Sequence, residues 1–163
     1  MDQTYEELVT WAYLGEVWGE RMLERLLTED VFAEERDHLR LLLALESRTR
    51  RTLERVVIAH GLDLDPGPSH KEAEEYVSTL GRNQDWDAFM RETLEIATSA
   101  LPQFEKMRDL GPDDDADALQ ETVEHEEAVL GYSMARLAGQ TEQAAAAVSA
   151  HLTTWARRSV AAS

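Results

Sequence analysis

Apolar residues recur along this chain at three- and four-residue intervals, in long runs broken by a few Gly, Pro and Asp clusters. That period is helical. The first predicted helix runs from about Thr4 to Leu27, with Thr4 and Glu7 spaced as a capping box. Thr28-Glu29-Asp30 makes a turn, and a second helix follows from about Asp30 to His60, closed by Gly61. The long connection Leu62 to Asp85 carries Pro66-Gly67-Pro68 and Gly81, and Ser69 to Leu80 within it predicts a short helix capped by Ser69. A third long helix starts near Asp85 and stops at Gly111-Pro112, with a kink expected at Pro102. Asp113 to Asp115 then cap a fourth helix ending at Gly139; the rest of a calcium-binding loop is missing around them. Thr141 to about Ala161 is the last helix, with Val148, Leu152 and Trp155 at helical spacing.

Two helical hairpins, residues 4–60 and 85–139, joined by a connector over 61–84, predict an all-α, single-domain fold over 1–163. Its expected architecture is a four-helix bundle with the C-terminal helix 141–161 capping it or supplying a dimer contact. The connector is long enough to cross the bundle, so the threading of the hairpins is open. At 163 residues and 43% hydrophobic, the chain can bury one sizeable core. It has no cysteine, which excludes disulfides, thiolate metal sites and cysteine nucleophiles. A net charge of −17 opposes nucleic acid and anionic membranes. No apolar run approaches membrane-spanning length, and Met1-Asp2-Gln3-Thr4 does not open a basic-then-apolar leader, so a cytoplasmic protein is expected. Arg36, Arg40, Arg48, Arg50, Arg51 and Arg55 share the second helix and read as a solvated face paired with neighbouring glutamates rather than a phosphate patch. No nucleotide loop, nucleophile elbow or zinc-protease helix occurs.

Three glutamates break the apolar pattern. Advancing 100° per residue places Glu16 amid Tyr5, Val9, Ala12, Leu23 and Leu27 on the first helix. Glu46 falls among Leu39, Leu42, Leu45, Leu53 and Val57 on the second, together with Glu35 and Thr49, and His38 lies near the edge. On the fourth, Glu126 is central among Leu119, Val123, Val129 and Leu137, with His125 expected on the rim beside Tyr132. The third helix has no carboxylate at the centre of its inward face, which holds Phe89, Met90, Thr93, Ile96, Ala97, Ala100 and Phe104, and it contributes a wall. Glu16 and Glu46 stand on the order of 20–25 Å from the first hairpin tip at 1.5 Å per residue, and Glu126 is again mid-helix, so all three can share a layer. A buried carboxylate costs several kcal/mol unless a metal, a cation or a proton compensates it. Together Glu16, Glu46, Glu126 and His125 would offer a metal three oxygens and one nitrogen, a set suited to iron, manganese or zinc over copper.

Inward carboxylates on facing helices resemble the ferritin-like di-iron and di-manganese proteins, which place a Glu on each of two helices and Glu-x-x-His on each of the other two. The resemblance covers the four long helices, with Glu16 and Glu46 as the glutamates of the first two and Glu126 or His125 as the contribution of the fourth. It implies bound iron or manganese and, in an enzyme, dioxygen or peroxide chemistry on a small-molecule substrate. The chain departs from the pattern in three places. Thr49 stands where the second-helix histidine belongs, the third helix lacks its glutamate, and Thr122 replaces the glutamate three residues before His125. The literal Glu-x-x-His, Glu35 to His38, lies a full turn or more from the layer.

Two other readings fit the same residues. The glutamates could form a metal-free polar network with Arg50, Arg136, Thr49, Thr122, Tyr13 or Tyr132, inside a non-enzymatic dimeric or partner-binding module. They could also hold a small cationic ligand. Trp11 and Trp18 flank the inward sector of the first helix as a candidate seam between two copies, where Gly15 and Gly19 permit close helix approach. His60, His70 and His151 read as surface or capping residues.

Overall fold

The computed structural model describes residues 3–80 and 84–161. Gly81, expected to punctuate the connector, lies outside them. The described residues form six α-helices and no strand: α1 (Tyr5–Glu29), α2 (Arg36–Ala59), α3 (Gly67–Leu80), α4 (Trp86–Leu110), α5 (Ala116–Leu137) and α6 (Thr141–Ala161). None is long and apolar enough to cross a membrane.

Local chemistry sets the helix ends. Thr4 and Glu7 form the reciprocal box expected of them: Thr4 N–H donates to Glu7 Oε2 at 2.8 Å and Glu7 N–H to Thr4 Oγ1 at 3.2 Å. Asp30 does not start the second helix. It closes α1 in the left-handed conformation at φ 54°, which short polar side chains tolerate. A 3-10 turn, Ala33–Glu35, then leads into α2, and Val31 and Phe32 of the loop drop into the core. Ser69 lies inside α3 and does not cap it; Gly67 N–H donates instead to Asp65 Oδ1 at 2.9 Å. Asp85 caps α4 by accepting from Asp87 N–H at 3.0 Å.

Asp113–Asp115 form a second 3-10 turn, and Asp115 makes no side-chain cap bond. Its Oδ2 accepts from Tyr5 Oη at 2.7 Å and meets His60 Nε2 at 2.6 Å, joining the ends of α1, α2 and α5. His60, the exposed C-cap residue of α2, is thus tied into a clamp.

α1 packs on α2 and α3, α5 packs on α4 and α6, and α2 touches both α5 and α6. α2 meets α5, and α1 meets α4, more sparsely, so that contacts run in the order α1-α2-α5-α4 with two looser seams. α3 lies on the flank of α1 through buried Ala73 and Val77. α6 runs beside α5 and α2 and buries Ala144, Val148 and Trp155, so it covers a flank and does not cap an end.

The apolar core is in two pieces. One holds Leu23, Leu39, Leu42, Leu45, Phe89, Met90, Val129 and Tyr132. The other holds Leu8, Ala12, Leu53, Val56, Phe104, Met107, Leu119 and Val123. Along α1, α2 and α5 the break between them falls at the level of Glu16, Glu46 and Glu126. A polar layer divides the interior.

Candidate metal centre

Each residue of this layer is positioned by a mid-helix segment, so its backbone is fixed. Glu16 is 4% exposed and Glu126 7%, while Glu46 is half-buried. His125 is 1% exposed, which corrects its expected place on the rim. α5 is covered on three sides, by α4, α2 and α6, so its buried arc is wider than one inward stripe.

Among the described residues, Glu16, His125 and Glu126 bring one ligand atom each to within 4.8 Å of one another, and this group could hold a metal ion. Glu46 stays outside that set but reaches its edge. Its Oε1 is 3.6 Å from His125 Nε2, and Glu16 Oε1 is 3.5 Å from the same nitrogen. The carboxyls of Glu16 and Glu46 lie side by side, close enough to share a proton. Gly19 makes room for this: a Cβ there would sit 2.5 Å from Glu46 Oε2. A Cβ on Gly15 would meet nothing within 4 Å.

Thr49 fixes the imidazole. Its Oγ1 donates to Leu45 O at 3.3 Å and lies 2.8 Å from His125 Nδ1. Where Thr49 donates to Leu45 O, it accepts from Nδ1–H, and Nε2 is left unprotonated, the tautomer a metal ligand requires. Nε2 faces Glu16 and Glu46. Burial drives the His125 pKa down to about 3, so the imidazole is neutral and these contacts are not ion pairs. Burial pushes Glu16 well above the usual carboxylate range, helped by the neighbouring charges of Glu46 and Glu126. Burial raises Glu126 in the same way, with Glu46 adding to it, and lifts Glu46 to about 7.

The cations that would settle a metal-free network are committed elsewhere. Arg50 pairs with Glu20 and Glu54, and Arg136 pairs with Glu35 at 2.7 Å. Arg48 pairs with Glu121, a buried acid on α5 that helix periodicity gave no reason to single out, and Thr52 adds a hydrogen bond to it. Glu16 Oε2 is buried with no hydrogen-bond partner. Electron-rich atoms converge here with nothing positive between them among the described residues. The set of carboxylate oxygens and a neutral imidazole nitrogen fits a divalent ion.

The remaining candidates go elsewhere. Glu35 is held by Arg136, and His38 Nδ1 pairs with Tyr132 Oη at 2.7 Å, so Glu-x-x-His is committed to partners outside the group. His151 is half-buried, against its expected surface position, and its Nε2 has no hydrogen-bond partner. Trp18 is turned onto Tyr76 of α3, with ring centroids 5.4 Å apart, and Trp11 leans on Phe104 at 5.2 Å.

α4 supplies no carboxylate to the group. It forms the far wall of a cavity of about 270 Å³ that opens over the carboxylates along the loose α1/α4 seam. Ile96, expected inward, is 52% exposed because α1 does not close against it there.

Thr49→Val, which keeps the shape and removes the acceptor, is expected to weaken Mn2+ binding by about tenfold or more. Titration calorimetry reads this, with circular dichroism confirming unchanged helix content.

Comparison with protein-family models, curated proteins and solved structures finds no match for this chain.

Proposed function

We propose that this chain is a metal-binding helical bundle of ferritin-like type, with iron or manganese held by Glu16, His125 and Glu126. Glu46 stands by as a further oxygen. The order α1-α2-α5-α4 supports reading those four helices as the bundle, with α3 and α6 as flanking additions. One observation carries the proposal: Glu16 Oε2 is buried without a partner, and His125 Nε2 faces the two carboxyls of Glu16 and Glu46. Such an arrangement is stable only with protons or a cation inserted.

Iron or manganese in such a site supplies activation of dioxygen or peroxide. The chain's own residues do the rest. Thr49 holds the imidazole in one tautomer, Gly19 lets the Glu46 carboxyl lie over α1, and the cavity gives a small molecule a dry approach to Glu16 and Glu126. An oxidase or oxygenase acting on that molecule is the function this geometry supports best.

Elemental analysis of protein expressed in medium supplemented with iron and manganese tests the proposal. About one equivalent or more of either metal per chain is expected, against none for a polar network.

A further inference from the structure

The cavity above the carboxylates has a size, a wall chemistry and a charge that together select a ligand. Its walls are mainly apolar, built from Trp11, Phe104, Met22, Ala97 and Val129, and its inner end is the acid-imidazole group. Two exposed hydrophobic side chains, Trp11 at 39% and Ile96 at 52%, stand at its mouth, where a helical surface ordinarily carries charge. Gly15 lines it from the middle of α1, a position where alanine would favour the helix by about 1 kcal/mol. Since a Cβ at Gly15 would enter open space, no packing demand explains the glycine; the missing side chain keeps the cavity open. A cavity of roughly 150 Å³ takes up benzene. The 270 Å³ here suits a body of two fused rings or its aliphatic equivalent.

Charge narrows the choice further. Glu92 lines the cavity and accepts from Tyr76 Oη at 2.7 Å, Glu95 stands at the outer mouth, and Glu16, Glu46 and Glu126 lie at the inner end. An anion would find no positive side chain among these. With a divalent ion bound, the three inner carboxylates still outweigh it when ionised.

We infer that this cavity is the substrate site, and that it takes an uncharged, apolar molecule of about naphthalene size entering between Trp11 and Ile96. That the inner end meets a metal rests on the proposed function; binding itself rests on the cavity alone.

The probes are 2-naphthol, 2-naphthoate and 2-naphthylmethylammonium, titrated by calorimetry into the full chain, metal-free and Mn2+-loaded. 2-Naphthol is expected to bind, and 2-naphthoate to bind at least about tenfold more weakly. Gly15→Phe and, separately, Ala100→Leu fill the cavity and are expected to weaken 2-naphthol binding by about tenfold or more, with Mn2+ stoichiometry unchanged in whichever variant keeps its helical spectrum. Equal affinity in the wild-type chain and both variants would overturn the inference, as would 2-naphthoate binding as tightly as 2-naphthol. A 2-naphthylmethylammonium ion that binds more tightly and competes with Mn2+ would also overturn it, in favour of a cationic ligand. Loss of Mn2+ binding with 2-naphthol behaving as expected would remove the metal centre and leave the cavity site standing.

Discussion

A chain carrying both Glu16→Gln and Glu126→Gln is expected to bind no stoichiometric Mn2+ or Fe2+, and its metal-free form to resist urea better than the unmodified protein. The two effects share one cause. Both carboxyls are buried, and both are pushed well above their ordinary range chiefly by that burial. Ionising them to bind metal, or holding them protonated without it, costs free energy that a neutral amide of the same shape does not. The amide that Glu16→Gln introduces can also hydrogen-bond His125 Nε2 in either tautomer, since it both donates and accepts. A stability gain of at least about 1 kcal/mol is expected. A merely structural network predicts the opposite sign, because removing its members would destabilise it. Equilibrium urea unfolding with metal analysis on the same preparations reads both quantities.

The metal-free protein is also expected to lose stability as pH rises from about 4.5, and added Mn2+ to restore it. The folded-state pKa values of Glu16, Glu46 and Glu126 all lie above the unfolded value. Below pH 4.5 both states hold these protons, so the carboxyls add no pH dependence to stability. Above it the unfolded chain releases them while the fold retains them, and stability falls by about 1.4 kcal/mol per pH unit for each proton retained. For Glu46 the window closes near pH 7. Metal binding requires the same protons to leave, so Mn2+ stabilises more strongly as pH rises, reaching about 2.7 kcal/mol at a free concentration one hundred times Kd. Thermal melts from pH 4.5 to 8, with and without Mn2+, measure this. A metal-free stability that climbs through that range would contradict it.

The helices and the inward aim of the glutamates are legible in the sequence because both depend on local periodicity. Thr4, Asp85 and the apolar spacing of α2 each announce themselves within one or two turns. What the periodicity misses depends on how many neighbours a helix has. His125 and Glu121 look peripheral on a wheel drawn for one seam, yet α6 and α2 cover that side of α5 and bury both. Ile96 is the reverse case. It belongs to the apolar sector of α4 and stands exposed at the cavity between α1 and α4. Asp115 reads as a cap from sequence alone, and its real partners, Tyr5 and His60, are distant in the chain. Thr49 is the most instructive position. As a departure from Glu-x-x-His it weakens the resemblance, while in the fold it orients His125 across the layer.

The claim that Glu16, His125 and Glu126 hold a divalent ion is tested most directly by anomalous X-ray diffraction from Mn2+-loaded crystals, recorded on both sides of the manganese absorption edge. An anomalous peak is expected within bonding distance of His125 Nε2 and of carboxylate oxygens of Glu16 and Glu126. A map with no peak in that layer, and these side chains hydrogen-bonded only to one another, would contradict it.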